Sequence, residues 1–81
     1  MAIAAHDKFR VIHDGVEYEF EVAEEGGYVA RVPAYPAAIS QGESFEEAFE
    51  NIRDGLAETL STARRLGLEV PPELASIGLT K

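Results

Sequence analysis

Residues 26–52 read GGYVARVPAYPAAISQGESFEEAFENI, and the period of their apolar positions changes along the stretch. Tyr28, Ala30 and Val32 alternate with Val29 and Arg31, the pattern of a strand with one face on a core. Pro33 has no N–H to give to a ladder and ends that strand. Tyr35 precedes Pro36 and is biased away from helix, so Ala34-Tyr35-Pro36 is an extended or turning link. Ala37 to Ser40 reads as a short returning strand, and Gly42 as the turn after it. Ser44 is then a helix N-cap. Glu47, three residues on, completes a capping box, and Glu46 and Glu47 lie at the positive end of the helix dipole.

Downstream the pattern is helical. Phe45, Ala48, Phe49, Ile52, Leu56, Leu60 and Ala63 form one stripe. Gly55 interrupts it at a cost of about 1 kcal/mol relative to alanine, which a close approach to the sheet or to another subunit would explain. Arg64 and Arg65 complement the C-terminal dipole, and Gly67-Leu68 reads as a stop with a hydrophobic latch. A helix from Ser44 to Leu66 is roughly 34 Å long at 1.5 Å per residue. A strand of eight residues spans about 27 Å. Leu60, Ala63 and Leu66 therefore overhang the sheet and need cover from the tail or from another subunit, which makes an oligomer the expectation. Val70-Pro71-Pro72 cannot extend the helix, and a short strand or turn is expected around Ala75 to Leu79.

Upstream, Lys8 to Val22 alternates in the strand period. Val16, Tyr18, Phe20 and Val22 share one face; Glu17, Glu19 and Glu21 share the other. Asp14-Gly15 suits a two-residue type I′ hairpin loop. That loop sets the register: His13 opposite Val16, Val11 opposite Tyr18, Arg10 opposite Glu19, Phe9 opposite Phe20 and Lys8 opposite Glu21. A slip of one residue would place Phe9 and Val11 with the glutamates. Pairing Phe20 with Ala30 extends the sheet and places Glu19 between Arg10 and Arg31. The expected fold is α+β, a three- to four-stranded antiparallel sheet packed on one long helix in the order β-β-β-(β)-α. Residues 8–67 form the domain, residues 1–7 a disordered or extended start, and residues 68–81 a tail.

With 81 residues the chain makes one domain, small enough that self-association is a reasonable expectation. It has no cysteine, hence no disulfide framework or cysteine-based zinc site, and a cytoplasmic location fits. The start lacks the basic and apolar regions of a signal peptide, and no apolar run approaches the ~20 residues of a membrane helix. Fifteen acidic residues against 7 basic ones give a net charge of −8. Nucleic acid would be repelled, whereas a basic protein would be steered in. The plainer alternative is an acidic surface that keeps a small protein soluble.

Catalytic and metal motifs are absent from this reading. Gly26-Gly27 is not a phosphate loop. His6 and His13 have no metal-ligand spacing, and Ser40, Ser44, Ser61 and Ser76 have no evident base. Glu17, Glu19 and Glu21 could in principle hold magnesium for phosphodiester hydrolysis, but Lys8, Arg10 and Arg31 lie opposite them. No cofactor, metal or catalytic residue is assigned.

Gly26-Gly27-Tyr28-Val29-Ala30, Val32-Pro33, Pro36, Gln41-Gly42-Glu43-Ser44, Glu46-Glu47-Ala48 and Asn51-Ile52 together resemble the signature of HicB-type antitoxins. The resemblance covers roughly residues 16 to 73. It implies a partial ribonuclease H-like fold that binds a HicA-type toxin, a small basic ribonuclease, and covers its active site. The chain departs from the family in three ways. It ends at Lys81, so no DNA-binding segment and no direct DNA binding are expected. Pro36-Ala37-Ala38 stands where members often have Pro-Gly-Cys. An additional strand, Phe9 to His13, precedes the usual first one. The expected function is an antitoxin-like binding module, with Glu17, Glu19, Glu21, Glu24, Glu25 and Tyr35 as its partner-binding residues. The alternative is a self-associating regulatory or structural domain without a toxin, and a metal-dependent nuclease ranks last.

Overall fold

The computed structural model of the chain describes residues 7–75 and 77. Four strands, β1 (Lys8–His13), β2 (Val16–Val22), β3 (Tyr28–Arg31) and β4 (Ile39–Gly42), form one antiparallel sheet in chain order. The helix α1 (Phe45–Arg65) packs on one face of it. The start expected for residues 1–7 lies outside the described residues except for Asp7. The Asp7 carbonyl accepts from the Val22 N–H at 3.0 Å and continues the ladder past Lys8.

Alternation and turn chemistry fix the sheet together. Asp14 and Gly15 both have positive φ, 53° and 78°, as a type I′ turn requires. The register runs from Lys8↔Glu21 to His13↔Val16, and Phe20 faces Ala30, as the sequence pattern demands. Val16, Tyr18, Phe20, Ala30 and Val32 consequently point to one side and are buried with Ala48, Ile52, Leu56 and Leu60 of α1. Each large apolar side chain so buried contributes roughly 1.5–3 kcal/mol. Aromatic rings cover the inner side of β1. Phe9 stacks on Phe20 at 5.4 Å, and Phe45 lies 5.8 Å from Phe9 and 4.9 Å from Phe20.

The returning strand begins at Ile39 rather than Ala37. Two successive turns, Tyr35 N–H to Val32 C=O and Ala38 N–H to Tyr35 C=O, each 2.9 Å, consume the residues before it. Gly42 belongs to β4 and is not a turn residue. A Cβ there would run into the Ala48 nitrogen and would lie 2.8 Å from Ala48 Cα, so the missing side chain is what lets strand and helix meet. Ser44 caps α1 as its sequence requires, its Oγ accepting from the Glu47 N–H at 3.1 Å. The Glu47 carboxylate reaches back to the Glu43 N–H at 2.8 Å, one residue before the cap.

The helix C-terminus closes with Leu68 N–H to Ala63 C=O at 2.8 Å and Gly67 N–H to Arg64 C=O at 3.1 Å, a Schellman motif. Its apolar latch is open: Leu68 is 58% exposed. Cover for the overhanging turns comes from further along the chain. A single 3-10 turn, Pro72–Leu74, carries the wholly buried Leu74, and Val70 packs beside it. Arg64 Nη2 donates to the Leu74 and Ala75 carbonyls at 3.3 and 2.9 Å and fastens this segment to the helix. Leu60 and Ala63 are thereby buried within the chain, whereas Leu66 stays 67% exposed. Overhang at Leu60 and Ala63 is therefore no reason for an oligomer. Of the strand or turn expected at Ala75 to Leu79, residues 76 and 78–79 lie outside the described residues.

Candidate functional site

The expected site residues fall on three separate surfaces. Glu17, Glu19 and Glu21 lie on the sheet face opposite the helix, where Lys8, Arg10 and Arg31 neutralise them. The register places Arg10 and Arg31 opposite Glu19 and Lys8 opposite Glu21, yet three ion pairs close diagonally. Arg10 Nη1 meets Glu17 Oε2 at 2.6 Å, Arg31 Nη1 meets Glu21 Oε1 at 3.0 Å, and Lys8 Nζ lies 4.0 Å from Glu19 Oε2. Diagonal neighbours are within reach of long side chains, so the direct Arg10–Glu19–Arg31 sandwich does not form. Three cations against three carboxylates leave this face with no local excess of charge to attract a basic partner. Ile12 and Ile39, 74% and 58% exposed, flank the salt-bridged centre on the two outer strands.

Glu24 and Glu25 are exposed in the loop between β2 and β3. Glu25 lines a shallow cavity of about 390 Å³ that also receives Glu43, just before the helix cap, and Glu47 from the first turn of α1. Tyr35 lies elsewhere. With Gly55, Glu58, Thr59 and Leu68 it lines a second hollow of about 410 Å³ along the side of the helix. A Cβ at Gly55 would meet nothing within 4 Å, so neither a close approach to the sheet nor any other contact in the chain accounts for that glycine.

The acidic surface that the sequence reading missed is the exposed side of α1. Residues 43–58 hold Glu43, Glu46, Glu47, Glu50, Asp54 and Glu58 against a single Arg53, a net of −5 of the chain's −8. All six carboxylates are on exposed residues, and none has a cationic partner within salt-bridge distance among the described residues. Arg53 is drawn off: its guanidinium carbon lies 4.5 Å from the centroid of the Phe49 ring, a cation–π contact. Glu47, Glu50, Asp54 and Glu58 recur every three to four residues and share one helix side. The signal was present as a count in the sequence, but Glu46 and Glu47 were absorbed by their role at the helix start.

Among the described residues no group of three or more histidines, aspartates or glutamates is placed to hold a metal ion. His13 packs edge-on against Phe49, ring centroids 5.4 Å apart. Burial pushes the Tyr18 phenol above its ordinary titration value, with Arg53 opposing and Asp14 assisting. Tyr18 belongs to the core beneath the helix and not to the acidic surface. No helix among the described residues is long and apolar enough to cross a membrane. Comparison of the chain with models of known protein families, with curated proteins and with solved structures gives no match.

Proposed function

We propose that this chain is an antitoxin-like binding module that docks a small basic ribonuclease of the HicA type in the cytoplasm and covers its active site. The observation that carries the reading is the position of the charge. Five of the eight net negative charges lie between Glu43 and Glu58, on exposed positions of one helix and the turn that leads into it. A field of one sign on a fixed element accelerates encounter with a basic partner and sets its orientation. Glu25 extends the field into the β2–β3 loop. The docking surface is accordingly the helix side and this loop, and not the neutralised glutamates of the sheet. The resemblance of residues 26–52 to HicB-type antitoxins is the reason to specify a ribonuclease. The chain acts by occlusion.

A second reading, self-association without a toxin, has Leu66 and Leu68 in its favour, which leave apolar surface open at the helix end. The two readings separate in a growth assay. A short basic ribonuclease of the same host, expressed alone, is expected to arrest growth, and co-expression of this chain to restore it. An Asp54→Arg, Glu58→Arg variant that keeps its helical circular dichroism is expected to restore growth poorly. Rescue that is indifferent to this reversal would place the docking surface elsewhere. Failure of the unmodified chain to rescue growth would remove the antitoxin reading and leave self-association.

A further inference from the structure

The two outer strands of the sheet expose their main chains very differently. Val22 N–H donates to Asp7 C=O, and Ala23 N–H to Gly27 C=O, each at 3.0 Å. Bonded and non-bonded pairs alternate along an antiparallel ladder. The bonded pairs between β2 and β3 are therefore Glu21–Val29 and Glu19–Arg31, which turns the main-chain groups of Tyr28 and Ala30 toward Gly42 and Ser40. The N–H and C=O of Ile39 and Gln41 consequently point away from the sheet. On β1 the outward groups are those of Lys8, Arg10 and Ile12.

Cationic side chains guard the β1 edge, a common defence against added strands. The β4 edge, Ile39-Ser40-Gln41-Gly42, carries no charge and no proline. One of its outward groups is capped, the Gln41 carbonyl accepting from Asn51 Nδ2 at 2.8 Å. A carbonyl has a second lone pair to offer. The Ile39 N–H and C=O and the Gln41 N–H have no partner among the described residues.

One hollow borders this edge and a second lies along the helix flank. On the outer face Val29, Arg31, Ile39 and Gln41 line one of about 450 Å³. The hollow of Tyr35, Gly55 and Glu58 lies on the helix. Asn51, Gly55, Thr59 and Thr62 share one helix flank by their spacing, and the Asn51 contact fixes that flank beside the edge. Gly55 thus leaves room where a guest side chain would enter.

We propose that β4 is a strand-addition site for an extended segment of a basic protein partner. The segment pairs with Ile39 and Gln41, and its side chains alternate between an apolar contact on Ile39 and Val29 and a cationic contact beside Glu58. Main-chain bonds supply affinity in this mode, and alternating pockets supply specificity. The proposal rests on the reading of the partner as a basic protein and adds where and how it docks. Charge selects this occupant over a second copy of the chain, because a copy with a net charge of −8 has an uncharged β4 of its own and brings like charge to Glu43 and Glu58.

The test uses the full chain, labelled with ¹⁵N, and two blocked heptapeptides, one alternating arginine and valine and one of arginine alone. With the alternating peptide, amide exchange at Ile39 and Gln41 is expected to slow about tenfold or more, with no change at Lys8, Arg10 or Ile12. Gln41→Pro removes an outward N–H and no ladder bond, and should abolish the protection. Ile39→Lys, a change at an exposed side chain that guards the edge, should do the same if the proline variant does not fold. Resonance shifts confined to Glu46–Glu58 with both peptides would overturn strand addition and leave the basic-partner reading standing. No response to either peptide would overturn both. Protection at Ile39 and Gln41 without peptide, rising with protein concentration, would make a second copy the occupant and overturn the proposal.

Discussion

A methyl group added at Gly42 would press on Ala48 Cα at 2.8 Å, whereas one added at Gly55 would meet nothing within 4 Å. The two glycines therefore respond in opposite directions to the same change. Gly42→Ala is expected to destabilise the fold by about 1–3 kcal/mol through overpacking. Gly55→Ala should stabilise it by roughly 0.5–1 kcal/mol, since the helix gains propensity and loses no contact. Denaturant midpoints at unchanged m-value read both. From sequence Gly42 reads as a turn residue and Gly55 as a close approach to the sheet or to another subunit; within the chain the close approach belongs to Gly42. A glycine in the sequence does not say whether space or backbone freedom is needed, because the neighbour that decides it comes from packing. Tyr18 gives the fold an alkaline pH dependence. Burial raises its folded-state pKa above the unfolded 10.0, so the folded state holds the proton longer. Its contribution is fully present below pH 10 and is lost as pH rises from there through the folded value. Tyr18→Phe should flatten the alkaline limb of the stability profile.

At the scale of elements, the hairpin and the helix were legible because their instructions are local. Asp14-Gly15 sets the turn, period-two alternation sets the register, and Ser44 with Glu47 sets the helix start; each finds its place in the structure. Ser44→Ala should cost about 1 kcal/mol, visible in thermal or chemical melts. The segment after the helix was not legible. Pro71-Pro72-Glu73-Leu74 has no period, and Leu74 becomes a core residue only through tertiary packing. Leu74→Ala should destabilise by about 2–5 kcal/mol, comparable to a change within the helix stripe. Arg64→Ala should instead loosen this segment locally, with faster amide exchange at Leu74 and Ala75 and little change in the strands.

At the scale of the molecule, the net charge was legible and its location was not. Glu17, Glu19 and Glu21 stand out in the sequence by their alternation, but long side chains pair across strands and cancel them. The helix carboxylates are less conspicuous in the chain and remain unneutralised on its surface. Sheet glutamates and helix carboxylates thus make opposite predictions for a basic partner. Screening adds a further expectation: contacts through exposed charges weaken as salt shortens the Debye length, about 10 Å at 0.1 M and about 3 Å at 1 M. The most direct test is affinity capture from the native host at these two ionic strengths. The unmodified chain would be compared with Asp54→Arg, Glu58→Arg and with Glu17→Arg, Glu19→Arg. The account predicts capture at low salt of a small basic ribonuclease whose RNA cleavage is suppressed while bound. High salt and the helix reversal should abolish capture, and the sheet reversal should spare it. Capture of the chain's own copies alone, or of a ribonuclease held equally well by the helix-reversed variant, would contradict it.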